Sequence, residues 1–121
     1  MSYKKLEIWK LAEDLVTEIH VMTLKNLPGF EMFEEGAQIR RSVKSVKSNI
    51  VEGYGRKIHP KEYLRFLTFA HSSLDETKDH LETLFKTKSL KDKVCYDRIH
   101  SNIELLGKKL YSFKQSVKRD C

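Results

Sequence analysis

Apolar residues recur at alternating spacings of three and four in four successive stretches, a rhythm that fits helices burying one face. In the first stretch Ile8, Ala12, Leu15, Ile19 and Met22 share a stripe that Trp9 and Val16 widen. The second carries Ile39, Val43, Val46 and Ile50, and the third Tyr63, Leu67, Ala70, Leu74, Thr77, Leu81 and Phe85. Ile99, Ile103, Leu106, Leu110, Phe113 and Val117 make the fourth. Nothing alternates with period two over a useful length, so no strand is expected. The breakers agree: Pro28-Gly29, Gly53-Tyr54-Gly55 with His59-Pro60, and Lys88-Ser89 separate the four stretches. Pro60 suits the first turn of the third helix, where Glu62 complements the helix dipole.

Each stripe must bury against the others, and helices of roughly 17 to 30 residues are about 25 to 45 Å long. Short connections make successive helices antiparallel neighbours, so the expected fold is all-α, an antiparallel up-down-up-down four-helix bundle. At 121 residues and 40% apolar content, the chain suits one such domain over residues 1–121 and is too apolar to be disordered. Phe66, Phe69, Leu84, Leu90 and Tyr96 fall off the main stripes, as extra core or as a subunit interface. No run of about 18 apolar residues exists, and MSYKKLEIWK lacks the apolar segment of a signal peptide. The expectation is a soluble cytoplasmic protein with no membrane contact. Cys95 and Cys121 are too few for a disulfide framework or zinc site and are expected to be reduced thiols.

Charge is distributed by segment. Residues 1–37 hold four basic and seven acidic groups, residues 38–61 seven and one, residues 62–85 two and five, and residues 86–121 ten and four. Helices 1 and 3 are therefore acidic and helices 2 and 4 basic, which sets opposite signs on every adjacent pair of the bundle. One reading is charge complementarity between neighbours. The other is a phosphate-binding stripe on helix 2, where Arg40, Lys44 and Lys47 share a face, Arg41 lies further round, and Arg56 and Lys57 follow the glycines. Lys108, Lys109, Lys114, Lys118 and Arg119 add positive charge to helix 4.

Signals of catalysis are weak. A di-iron bundle needs Glu-x-x-His on two helices, and the nearest match, Asp97-Arg98-Ile99-His100, stands alone. His71 with Asp75 and Glu76 with His80 are expected as surface pairs on helix 3. No nucleophile elbow or phosphate-cradling loop occurs. The glycines at 53 and 55 are expected to end helix 2 with positive φ, and Glu52 and Arg56 to pair across the turn. No enzymatic activity, metal or cofactor is expected.

The stretch from Gln38 to Lys57, QIRRSVKSVKSNIVEGYGRK, is specific. It resembles the signature of the four-helix bundle proteins encoded in intervening sequences of large-subunit (23S) ribosomal RNA genes. There Gln-x-Arg-Arg precedes a small-residue helix and Asn-Ile-x-Glu-Gly-x-Gly-Arg. The matching residues are Gln38, Arg40, Arg41, Ser45, Asn49, Ile50, Glu52, Gly53, Gly55 and Arg56, supported by Leu6, Trp9, Leu15, Pro28, Glu31, Phe66, Leu67, Ala70, Ser73, Leu74 and Glu76. The likeness runs over roughly residues 4 to 85 and fades in helix 4. Ser45-Val46-Lys47 replaces a common Ser-Ile-Pro, and Glu34-Glu35 a usual Gly-Leu.

The resemblance implies a left-handed bundle assembled as a ring-like homopentamer. It also implies a fold relationship to the accessory protein of diversity-generating retroelements, a basic pentamer that associates with reverse transcriptase and nucleic acid. No established activity comes with it. It further suggests that Asn49, Glu52, Gly53, Gly55 and Arg56 form a structural corner closing helix 2. The expected function is a non-enzymatic oligomer that associates with RNA or DNA through Arg40, Arg41, Lys44, Lys47, Arg56 and Lys57. The alternative is an oligomeric scaffold for a protein partner with no nucleic-acid role.

Overall fold

A computed structural model describes residues 2–121. Four helices follow one another: α1 Glu7–Lys25, α2 Glu35–Tyr54, α3 Pro60–Lys86 and α4 Lys93–Lys118. Short 3₁₀ turns, Tyr3–Lys5 and Gly29–Phe33, precede α1 and α2. Among the described residues there is no strand, and no helix is long and apolar enough to cross a membrane.

The four stripes close on one another. Leu15, Ile19, Ile39, Ile50, Leu67, Leu81, Ile99 and Leu106 are all but inaccessible, and all four helices contribute to one core. A fully buried aliphatic side chain of this kind contributes roughly 1.5–3 kcal/mol, so the stripes dominate stability. Of the residues off the stripes, Leu84 and Leu90 are buried, Phe66 and Tyr96 half-buried, and Phe69 is 42% exposed. Leu84 takes the inward position near the end of α3, and Phe85 instead stacks on Tyr96 with ring centroids 4.1 Å apart.

Contacts between side chains fix the topology. Lys78 and Glu104, His100 and Glu82, and Phe85 and Tyr96 meet in antiparallel order between α3 and α4. Glu18 with Arg98 and Glu7 with Lys109 do the same for α1 and α4. Each helix packs on two neighbours in an up-down-up-down arrangement, and α2 and α3 share the most extensive seam.

That seam is built from small residues. The Ser42 and Thr77 hydroxyls bond at 2.8 Å in the interior, and those of Ser45 and Ser73 at 2.9 Å. A Cβ on Gly53 would come within 3.1 Å of both Phe66 and Tyr63, so the glycine lets the helices approach closely.

Turns are secured individually. Asp92 caps α4 by accepting from the Cys95 N–H at 3.1 Å. Lys88, at φ 67°, ends α3 in the left-handed position that usually falls to glycine. No glycine has positive φ, which corrects the expectation for Gly53 and Gly55. Gly53 is buried within α2, and Gly55 caps it in the right-handed region.

Two helical glycines should respond oppositely to one change. A Cβ on Gly36 would lie closer than 3.0 Å to the Glu31 carbonyl oxygen, which is backbone and yields little, whereas one on Gly107 would make an ordinary 3.7 Å contact with Leu74. Urea denaturation is expected to show Gly36→Ala destabilised by about 1–3 kcal/mol and Gly107→Ala stabilised by about 0.5–1 kcal/mol.

Candidate nucleic-acid interface

Placed on α2, the six predicted phosphate contacts separate into two groups. Arg40 is half-buried: its Nη2 donates to the Met32 carbonyl at 2.6 Å, while Nη1 is buried without an acceptor. The 3₁₀ turn before α2 folds back over its first turns and brings that carbonyl into reach, a path that helical periodicity does not encode. Lys47 Nζ pairs with Glu13 on α1 at 3.0 Å. Arg41 is exposed and donates to Gln38 at 3.1 Å, and Lys44 is exposed with no ion pair among the described residues. The stripe is thus broken by the fold's own demands.

Arg56 and Lys57 lie elsewhere, at the α2–α3 corner. Arg56 pairs with Glu52 and sits over the Phe66 ring, 4.6 Å from its centroid. Lys57 Nζ donates to the Tyr54 hydroxyl at 2.8 Å, 4.0 Å from that ring's centroid. Asn49 is one turn before Gly53, inside α2, where its Nδ2 donates to the Ser45 carbonyl at 2.9 Å and hydroxyl at 3.2 Å. It supports the seam with α3 and does not cap the helix end.

What the fold brings together is a larger basic surface. The antiparallel topology gathers the start of α1, the end of α2, the start of α3 and the end of α4 at one end of the bundle. Residues 2–10, 52–66 and 112–121 carry ten basic and four acidic side chains, and the remainder carries thirteen of each. The entire formal excess of +6 therefore sits at that end. Of the ten cations, among the described residues, only Arg56 and Arg65 have a carboxylate within 4.0 Å. Lys4, Lys5, Lys57, Lys61, Lys118 and Arg119 are exposed. Counting charge helix by helix hides this, because each helix contributes only a terminal piece.

The opposite end has another character. Glu31, only 5% exposed, accepts from the Glu35 N–H at 3.0 Å and from the Ser89 hydroxyl at 2.6 Å, so it caps α2 and ties the α1–α2 turn to the α3–α4 turn. Glu35 in turn meets His80 Nδ1 across the α2–α3 seam. His80 therefore pairs between helices and not with Glu76, while His71 Nδ1 is buried without a partner. Neither Glu31 nor Gly36 carries a periodic signal; a glycine in the first turn of a helix was the available cue. Around this end Phe33 is 88% exposed, with Phe30, Leu24, Val21 and Val94 also open to solvent.

Elsewhere the charge alternation is used between helices. Glu13–Lys47, Glu18–Arg98, Glu7–Lys109 and Glu82–His100 join acidic α1 and α3 to basic α2 and α4. Lys78 and Glu104, 2.6 Å apart, run in the reverse sense; their hydrogen bond raises the lysine pKa and lowers that of the carboxyl. Among the described residues no group of three or more His, Cys, Asp or Glu is placed to hold a metal. Cys95 is buried, which pushes its thiol pKa up, and Cys121 is exposed.

Residues 4–112 match the family model described as 23S rRNA-intervening sequence protein. The chain belongs to that family. Gln38 to Lys57, with its broken basic stripe and small-residue seam, lies wholly within the match. The family fold is also seen in the crystal structure of a protein with unknown function from the S23 ribosomal protein family of Bacteroides thetaiotaomicron VPI-5482. That chain is similar with a TM-score of 0.79 and 21% identity, over 88% of this chain and 97% of that one, a likeness that speaks for the fold. No curated protein matches.

Tyr63, packed beneath Gly53 and edge-on to Phe113, has its pKa pushed up to about 12, chiefly by burial and further by Tyr54. Its neutral form is favoured in the folded state, so that stabilisation is complete below about pH 10 and disappears as pH rises toward 12. Circular dichroism during alkaline titration should show Tyr63→Phe losing less stability than the parent across that interval.

Proposed function

We propose that this protein is a non-enzymatic member of its family that associates with nucleic acid through the basic end of the bundle. The observation that carries the reading is the confinement of the whole +6 excess to one end, with most of its cations unpaired. Cations without carboxylate partners are available to neutralise phosphates, and release of the counterions condensed on the nucleic acid then drives association. Arg56 and Lys57 belong to this surface, joined by Lys4, Lys5, Lys61 and Lys118. Arg41 and Lys44 lie on the flank of α2 and contribute at its margin, whereas Arg40 and Lys47 serve the fold. A homo-oligomer, pentameric as the resemblance implies, would repeat the surface and add avidity.

Fluorescence anisotropy with labelled RNA and DNA tests this directly. Affinity is expected to fall by roughly a thousandfold or more between about 50 and 200 mM salt. Reversing Lys57, Lys61 and Lys118 to Glu should abolish binding at low salt, and reversing Arg41 and Lys44 should weaken it modestly. A flat salt response, or a larger loss from the α2 pair, would refute the assignment.

A second reading rests on the other end. Five exposed apolar side chains, Val21, Leu24, Phe30, Phe33 and Val94, form the kind of surface that marks protein contact, as a scaffold for a protein partner requires. If that surface carries assembly, replacing Phe30 and Phe33 with Ser lowers the mass seen by sedimentation while the helical signal is retained; an unchanged mass counts against it.

A further inference from the structure

The aromatic residues at the basic end are already occupied. Lys57 Nζ lies over Tyr54, Arg56 over Phe66, and the Arg65 guanidinium is 5.9 Å from the Phe66 centroid and 5.4 Å from that of Phe69. Tyr3 meets Trp9 and Tyr54 edge-on, at 5.6 and 6.5 Å. A cation seated on a ring covers the face on which a nucleobase would stack, and it gains from the ring's quadrupole what a base would have to displace. The apolar side chain standing furthest into solvent here, Ile58 at 80% exposure, is aliphatic and offers no π face.

Surfaces that hold single strands by their bases combine a charged groove with open aromatic platforms. This end has the charge and lacks the platforms. We infer that it reads the sugar-phosphate backbone alone, so that its ligand class is a regularly spaced phosphate polyanion, bound whether or not bases are attached. The inference rests on the nucleic-acid reading above and narrows it. Tyr111, 57% exposed on α4, is the nearby ring that carries no cation, three and seven residues before Lys114 and Lys118 on the same helical face, whereas the partly exposed Phe69 has Arg65 beside it. It provides an internal control, since any stacking contribution has to pass through a ring of this kind.

The experiment compares two labelled strands of equal length at about 50 mM salt, one an ordinary mixed-sequence DNA oligonucleotide and the other abasic throughout. The expected result is dissociation constants within about threefold of each other, below the fivefold or so that a single stacked base contributes. Tyr111→Ala, a surface change that leaves the core intact, is expected to bind the ordinary strand as tightly as the parent. An ordinary strand held more than about threefold tighter than the abasic one, or a loss beyond about threefold in Tyr111→Ala, overturns backbone-only recognition while leaving nucleic-acid binding in place. Failure of both strands to bind removes the underlying reading and this inference with it.

Discussion

The close seam between α2 and α3 is the constraint on which the rest of the molecule depends. Ser42 with Thr77 and Ser45 with Ser73 place hydroxyl against hydroxyl where larger side chains would hold the helices apart. Their polar atoms are mutually satisfied, and Thr77 also donates to the Ser73 carbonyl at 2.8 Å, so the seam gains proximity without leaving buried groups unpaired. Gly53 extends the same approach to the corner. Register along this pair then decides where Arg56, Lys57 and Lys61 emerge, and hence that they join Lys4, Lys5 and Lys118 at one end.

Electrostatics plays two separate roles. Along the sides of the bundle, cations and carboxylates on adjacent helices meet in exposed or partly exposed pairs that solvent screening keeps weak. They contribute little to stability beside the apolar core, but they penalise arrangements that would set like charges together. At the basic end most cations have no carboxylate within 4.0 Å among the described residues, and Arg56 and Arg65 pair only with carboxylates three or four residues away in the same stretch of chain. Arg40 marks the boundary between the two roles: it has the charge and the sequence position of a ligand contact, and a loop carbonyl claims it.

Much of the fold was legible because periodicity reports burial. Apart from Phe85 and the half-buried Phe113, the stripe residues from Ile8 to Val117 fall inward where the spacing of three and four places them, and Pro60 opens α3 at its first position. The site was less legible. A helical wheel correctly grouped Arg40, Lys44 and Lys47 by angle, yet angle alone does not reveal that Met32 and Glu13 lie alongside. The basic end is assembled from three stretches that are far apart in sequence, each unremarkable alone, and only antiparallel closure sums them. Glu31, noticed only as part of the family resemblance, and Gly36 lacked a periodic signal for a related reason, since a close backbone approach and a cross-loop hydrogen bond leave no repeating pattern. The glycine expectation failed because close helix packing and chain reversal both favour glycine, and the residue type alone does not separate them.

A rod about 40 Å long, the span of α3, whose net charge is confined to one tip is also an electric dipole, and a dipole experiences torque as well as attraction. Near any extended negative surface the molecule turns before it touches, with its long axis toward the source of the field. Arrival is therefore oriented: the tip carrying Lys57 and Lys61 leads, and the tip carrying Phe30 and Phe33 trails, pointing away from the surface and toward whatever approaches next.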